Sequence, residues 1–130
     1  MKRFFLTLIS LSLLGCATYE ASFEEGTSPE VIKQRAQEAF DAGAYEDALA
    51  IYALALDRFS DDPKLKAEIL YEIAFTHQKS EDLESARAGY RELLALYEDS
   101  SLEPFLPGWP RVLAEKLLED LIAQEEATPE

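Results

Sequence analysis

The chain has 130 residues, 12 of them Lys or Arg and 26 Asp or Glu, for a formal net charge of −14. That excess of acid excludes nucleic-acid binding, since a polyanion is repelled and few cations are present to release its counterions, and it excludes a basic patch for anionic headgroups. A single cysteine excludes an intrachain disulfide, and the length suits one domain with a modest core.

Lys2 and Arg3 precede an uncharged, mostly apolar run over 4–14, which ends at Gly15-Cys16. A charged start, a short apolar run and small residues at its end describe a secretory signal. As a helix the run would cover about 16 Å, half of a ~30 Å hydrocarbon core, so a permanent transmembrane helix is not expected. Leu13-Leu14-Gly15-Cys16 resembles the lipobox of bacterial lipoprotein signals, with Leu14 where Ala, Ser or Thr is commoner. The resemblance implies a signal peptide over 1–15, a diacylglyceryl group on Cys16, and cleavage just before it. Acylation, typically by palmitate, of the new amino terminus then supplies the further chain that stable anchoring requires. Ala17, where an Asp would imply inner-membrane retention, points by the same resemblance to the outer membrane, facing the periplasm. The alternative is an ordinary signal cut around Gly15-Cys16-Ala17 that leaves a soluble product. Cleavage before Cys16 removes Lys2, Arg3 and no acid, taking the net charge from −14 to −16.

Residues 16–28 are small, polar and acidic with no sustained period, and are expected to form a lipidated flexible tether. Ser28-Pro29 then reads as an N-cap followed by Pro at the first helical position. Val31, Ile32, Ala36, Ala39 and Phe40 fall on one helical stripe, and Gly43 ends it. Tyr45 opens a second helix carrying Ala48, Leu49, Ile51, Tyr52, Ala55 and Phe59. Asp62-Pro63 repeats the cap-plus-Pro start for a third, with Ile69, Leu70, Ile73 and Ala74. Leu83, Ala86, Tyr90, Leu93, Leu94 and Tyr97 mark a fourth. No stretch alternates with a period of two, so the chain is expected to be all-α.

The two helix pairs match each other. Ala36 pairs with Ala74, Ala48 with Ala86, Tyr52 with Tyr90 and Ala55 with Leu93, always 38 positions apart. Self-similarity at a fixed step indicates repeated helical hairpins. The pattern resembles the tetratricopeptide repeat, whose unit is about 34 residues. Ala36 and Ala74 match its small residue midway along the first helix, and Gly43 and Tyr45 match its turn. Ala48 and Ala86 open the second helix, with Tyr52 and Tyr90 four residues on. The second unit departs from the pattern with Glu81 for the Gly and Leu83 for the Tyr, and neither unit has the closing Pro. The resemblance implies repeats over 29–62 and 63–100, forming a fragment of a right-handed α-solenoid. The competing reading is an unrelated helical bundle.

Residues 101–109 hold prolines and a glycine and read as a loop. Pro110 suits a helix start, and Val112, Leu113, Leu117, Leu121 and Ile122 make an amphipathic capping helix over 110–126, followed by a frayed tail over 127–130. Trp109 is expected to pack, with Phe105 and Leu106, across the hairpin ends.

No phosphate-binding loop, nucleophile elbow or zinc-protease motif occurs, and an enzyme is not expected. No cofactor or metal is expected either. His77, the lone histidine, is read as a packing residue, and Glu68 and Glu72, one turn apart, as a solvated pair. The repeat resemblance instead implies a concave partner-binding groove lined by the first helix of each hairpin. Lys33, Gln37, Phe40 and Asp41 would come from the first, and Tyr71, Glu72, Phe75, Gln78 and Lys79 from the second. Coverage of the aromatic strip by the fifth helix, or by a second copy in a homodimer, is the alternative. The basic pockets that grip a free carboxylate in this family are not reproduced, because Glu72 stands where a neutral or basic residue is wanted. The expected function is a lipid-anchored envelope adaptor holding other envelope proteins. A peptide-, glycan- or ligand-binding periplasmic module and a non-catalytic accessory subunit of an envelope complex are the alternatives.

Overall fold

Helices form where the sequence supplies a period of 3.6 bounded by caps, prolines and a turn glycine. A computed structural model describes residues 18–128; the expected signal peptide, Cys16 and the last two residues of the expected tail lie outside the described residues. Among the described residues there are five α-helices and no strand, so the fold is all-α. They are α1 (Pro29–Asp41), α2 (Tyr45–Arg58), α3 (Pro63–Lys79), α4 (Leu83–Leu96) and α5 (Gly108–Ala127). The first four are joined by links of three or four residues and pack on their chain neighbours, which makes consecutive helices antiparallel.

The two hairpin turns are the same turn, 38 residues apart. Gly43 takes φ +74°, while the amides of Gly43 and Ala44 donate to the carbonyls of Phe40 and Ala39, both at 2.9 Å. In the second hairpin Glu81 takes φ +65°, while Glu81 and Asp82 donate to Gln78 (3.2 Å) and His77 (3.0 Å). The left-handed conformation that glycine adopts freely is therefore imposed on a glutamate in the second turn. Helix starts differ in chemistry. Asp62 and Asp82 accept from the amides of Leu65 (3.0 Å) and Ser85 (3.2 Å). Ser28 holds the N-cap position of α1, but its hydroxyl makes no capping bond.

Two apolar clusters form a continuous core. Ile32, Ala36, Ala48, Ile51, Tyr52 and Ile69 centre the first; Leu70, Ala74, Ala86, Tyr90, Leu93 and Leu121 centre the second. Leu56 packs against both. Small residues set the helix separation: a Cβ added to Gly89 of α4 would meet the Ala74 Cβ of α3 at 2.9 Å.

Two segments depart from expectation. Residues 18–27, expected as free tether, are seated on the first hairpin as a strap. Tyr19, Ala21 and Phe23 pack against the first cluster. The Tyr19 amide donates to Asp47 Oδ2 (3.2 Å), and the Arg58 guanidinium donates to the carbonyls of Phe23 (2.7 Å) and Glu24 (3.1 Å). The second departure is at α5, which begins at Gly108, two residues before the expected Pro110, and so takes Trp109 into its first turn. The preceding loop contains a 3₁₀ turn at Glu103–Phe105 and is pinned by the Tyr97 hydroxyl, which donates to the Pro107 carbonyl (2.6 Å). α5 rests mainly on α4 through the stripe of Ala114, Leu117, Leu118 and Leu121. At 100° per residue, Val112 and Leu113 fall off that stripe and are exposed.

Candidate interaction groove

α1 and α3 both present their mid-helix and C-terminal turns to one side of the molecule. Phe40 and Phe75 stack across them, with ring centroids 5.7 Å apart and planes 26° apart. Phe75 stacks on Tyr71 one turn earlier at 5.8 Å and 11°. The run is extended at both ends. Tyr45, the first residue of α2, meets Phe40 edge-on at 5.5 Å, and Trp109 of α5 meets Tyr71 edge-on at 5.2 Å. Tyr90 lies tilted against Tyr71 at 6.3 Å, with its hydroxyl donating to Gln78 Oε1 (2.7 Å). Tyr45, Phe40, Phe75, Tyr71 and Trp109, from four helices, thus form one strip, with the fully buried Tyr90 of α4 behind it. Offset and edge-on contacts of this kind each add about 0.5–1.5 kcal/mol beyond area burial.

The strip is partly covered. Tyr71 is only 8% exposed beneath Trp109, which itself remains 43% exposed. Phe40, Tyr45 and Phe75 are half-buried. The fifth helix therefore contributes one ring to the groove, covers Tyr71, and leaves Phe40, Tyr45 and Phe75 partly exposed.

Charges bracket the rings. Lys79 Nζ lies 5.1 Å from the Phe75 ring centroid, a distance at which the ring quadrupole attracts a cation. At the other end Lys33 Nζ bonds Glu68 Oε2 at 2.6 Å, and the Gln37 amide donates to Asp41 Oδ1 at 2.8 Å. Beside them a recess of about 360 Å³ is lined by Glu30, Lys33, Gln34, Gln37, Tyr52 and Glu72. Burial pushes the Glu72 carboxyl above the usual range; nearby Lys33 opposes that shift and Glu68 adds to it. Burial likewise raises the Tyr52 and Tyr71 hydroxyls, and Glu72 adds to both.

Of the six expected groove residues, Phe40, Tyr71, Phe75 and Lys79 form one chain of contacts, while Lys33 and Gln37 line the recess at its end. Gln78, also expected in the groove, is instead engaged with Tyr90. Tyr45, Tyr52 and Trp109 were not anticipated there. Their signal was present as aromatics at helix starts and in mid-helix, but only the packing of α1, α3 and α5 brings them together. His77 is half-buried, with Nδ1 3.3 Å from Asp82 Oδ2. Among the described residues no helix is long and apolar enough to cross a membrane. The chain matches no family model, no curated protein and no solved structure.

Proposed function

We propose that this chain is a lipid-anchored adaptor of a bacterial envelope, built from two tetratricopeptide-like hairpins, that holds a protein partner in the groove between α1 and α3. The observation that carries the reading is the partly exposed strip of five rings in stacked and edge-on contact, because aromatic side chains in a groove are the usual anchors of a bound partner. The common geometry of the two hairpin turns supports the repeat assignment. Leu13-Leu14-Gly15-Cys16 supports the anchor, and Ala17 after it favours the outer membrane, facing the periplasm. The recess beside Glu72 favours a second reading, a module that takes a soluble peptide or ligand.

Intact mass of the protein from its native membrane, compared with a Cys16→Ala version, tests the anchor. A chain starting at Cys16 with added acyl mass, lost together with membrane association in the variant, is the expected result. A photo-crosslinking residue at position 79, at the rim of the strip, tests the adaptor. A discrete membrane-protein adduct is expected, and it should disappear on Phe75→Ala. Adducts that persist without Phe75 would place the contact elsewhere.

A further inference from the structure

The groove's polar groups are unevenly committed. Lys33 is held by Glu68, Lys79 lies over Phe75, and the Gln37 amide is bound to Asp41. Among the described residues, none donates a hydrogen bond to the Glu72 carboxylate, although it sits in the recess one turn before Phe75 on the same face of α3. An incoming anion would meet Glu72, Glu68, Glu30 and Asp41 on a chain of net charge −14. An incoming cation would find a half-buried acceptor already stripped of part of its water.

Resting on the groove as a partner site, we infer that its occupant is an extended basic segment of a protein, with Arg or Lys in the Glu72 recess and an apolar or aromatic residue two positions away on the Phe75–Tyr71–Trp109 strip. The spacing follows from geometry. Two residues of extended chain advance about 6.6 Å and return the side chain to the same face. Glu72 and Phe75, three residues apart, lie about 4.5 Å apart along α3, and the length of an Arg or Lys side chain spans the remaining ~2 Å.

The test titrates the purified full chain, in non-ionic detergent at physiological salt, with four synthetic peptides. One carries Arg and Phe two positions apart among Ser and Gly; in two others Gln or Glu replaces Arg; in the fourth Arg and Phe are adjacent. The first should bind best. Glu72→Gln should weaken it at least about tenfold, the scale of one lost charged hydrogen bond, and leave the Gln peptide unchanged. Phe75→Ala should weaken the Arg and Gln peptides alike. Equal binding of the Arg and Gln peptides, equal binding of the adjacent-residue peptide, or indifference to Glu72→Gln overturns the basic-segment inference and leaves the groove reading standing. Peptide binding that Phe75→Ala does not weaken overturns the groove reading itself. Circular dichroism of both variants confirms that any loss occurs on a folded chain.

Discussion

Gly89→Ala should destabilise the protein even though alanine is the better helix former. In an exposed helix the exchange gains about 1 kcal/mol. Here the new methyl would stand 2.9 Å from the Ala74 Cβ and 3.3 Å from its Cα, inside the ~3.5–4.0 Å at which carbon atoms attract. Neither atom can leave by a rotamer change, so α3 and α4 must separate. Overpacking of that kind costs about 1–3 kcal/mol, and the net loss should be about 1 kcal/mol. With a urea slope of roughly 1–3 kcal/mol/M, the midpoint read by circular dichroism should fall by about 0.5 M. Ala74→Gly alone should cost about 2 kcal/mol, from propensity and a lost buried methyl. Combining the two moves the methyl from one helix to the other, so the double variant should be about 1 kcal/mol more stable than the sum of the singles implies. A Gly89→Ala protein as stable as the parent, or strictly additive singles, would refute close approach at this point as the constraint on the helix pair.

The remaining expectations concern one carboxylate, one turn and one strap. Because burial raises the folded pKa of Glu72 above its unfolded value, the folded state binds that proton more tightly, and stability falls as pH rises from the ordinary carboxylate range through the raised value. Glu72→Gln should therefore melt higher than the parent at pH 7, with the difference shrinking at pH 4; an equal difference at both would show that ionisation is not the cause. Glu81→Gly relieves a left-handed conformation costing about 1–2 kcal/mol while adding about 0.5–1 kcal/mol of unfolded-state entropy. It should raise stability by about 0.5–1 kcal/mol in the same urea assay, and any loss would contradict it. Arg58→Ala removes the donor to Phe23 and Glu24, so hydrogen exchange over 19–27 should accelerate while global stability falls by about 1 kcal/mol; unchanged protection would mean that side-chain packing alone seats the strap.

Side-chain periodicity carried the helices well, because each of α1 to α4 repeats a buried stripe between recognisable stops. The groove rings Phe40, Tyr71 and Phe75 came from the register that the repeat resemblance implies, and the three do meet on one face. Trp109 and Tyr45 were not, since their contacts cross between elements and depend on how α5 and α2 are placed. The start of α5 was missed because Pro110 suits the first helical position, yet proline is tolerated through the first turn, where amides lack intrahelical partners in any case. Ser28 and Asp62 look alike as caps, and only Asp62 makes the bond. The strap escaped notice because its polar fastenings are a backbone amide and two backbone carbonyls, groups that every residue carries and no pattern advertises.

That strap sets the length of the leash. A free tether over 16–28 would let the domain wander about 20 Å from its anchor point. With the chain fastened from Tyr19 onward, a domain anchored at Cys16 is separated from its anchor by three residue steps, which span at most about 11 Å. On the proposed anchoring, the first hairpin is held close against the bilayer and the groove is presented within a thin layer above it. For a partner confined to the same membrane, that narrows the volume searched and raises the effective concentration of the site. Releasing Arg58 would lower this advantage without touching a single groove residue.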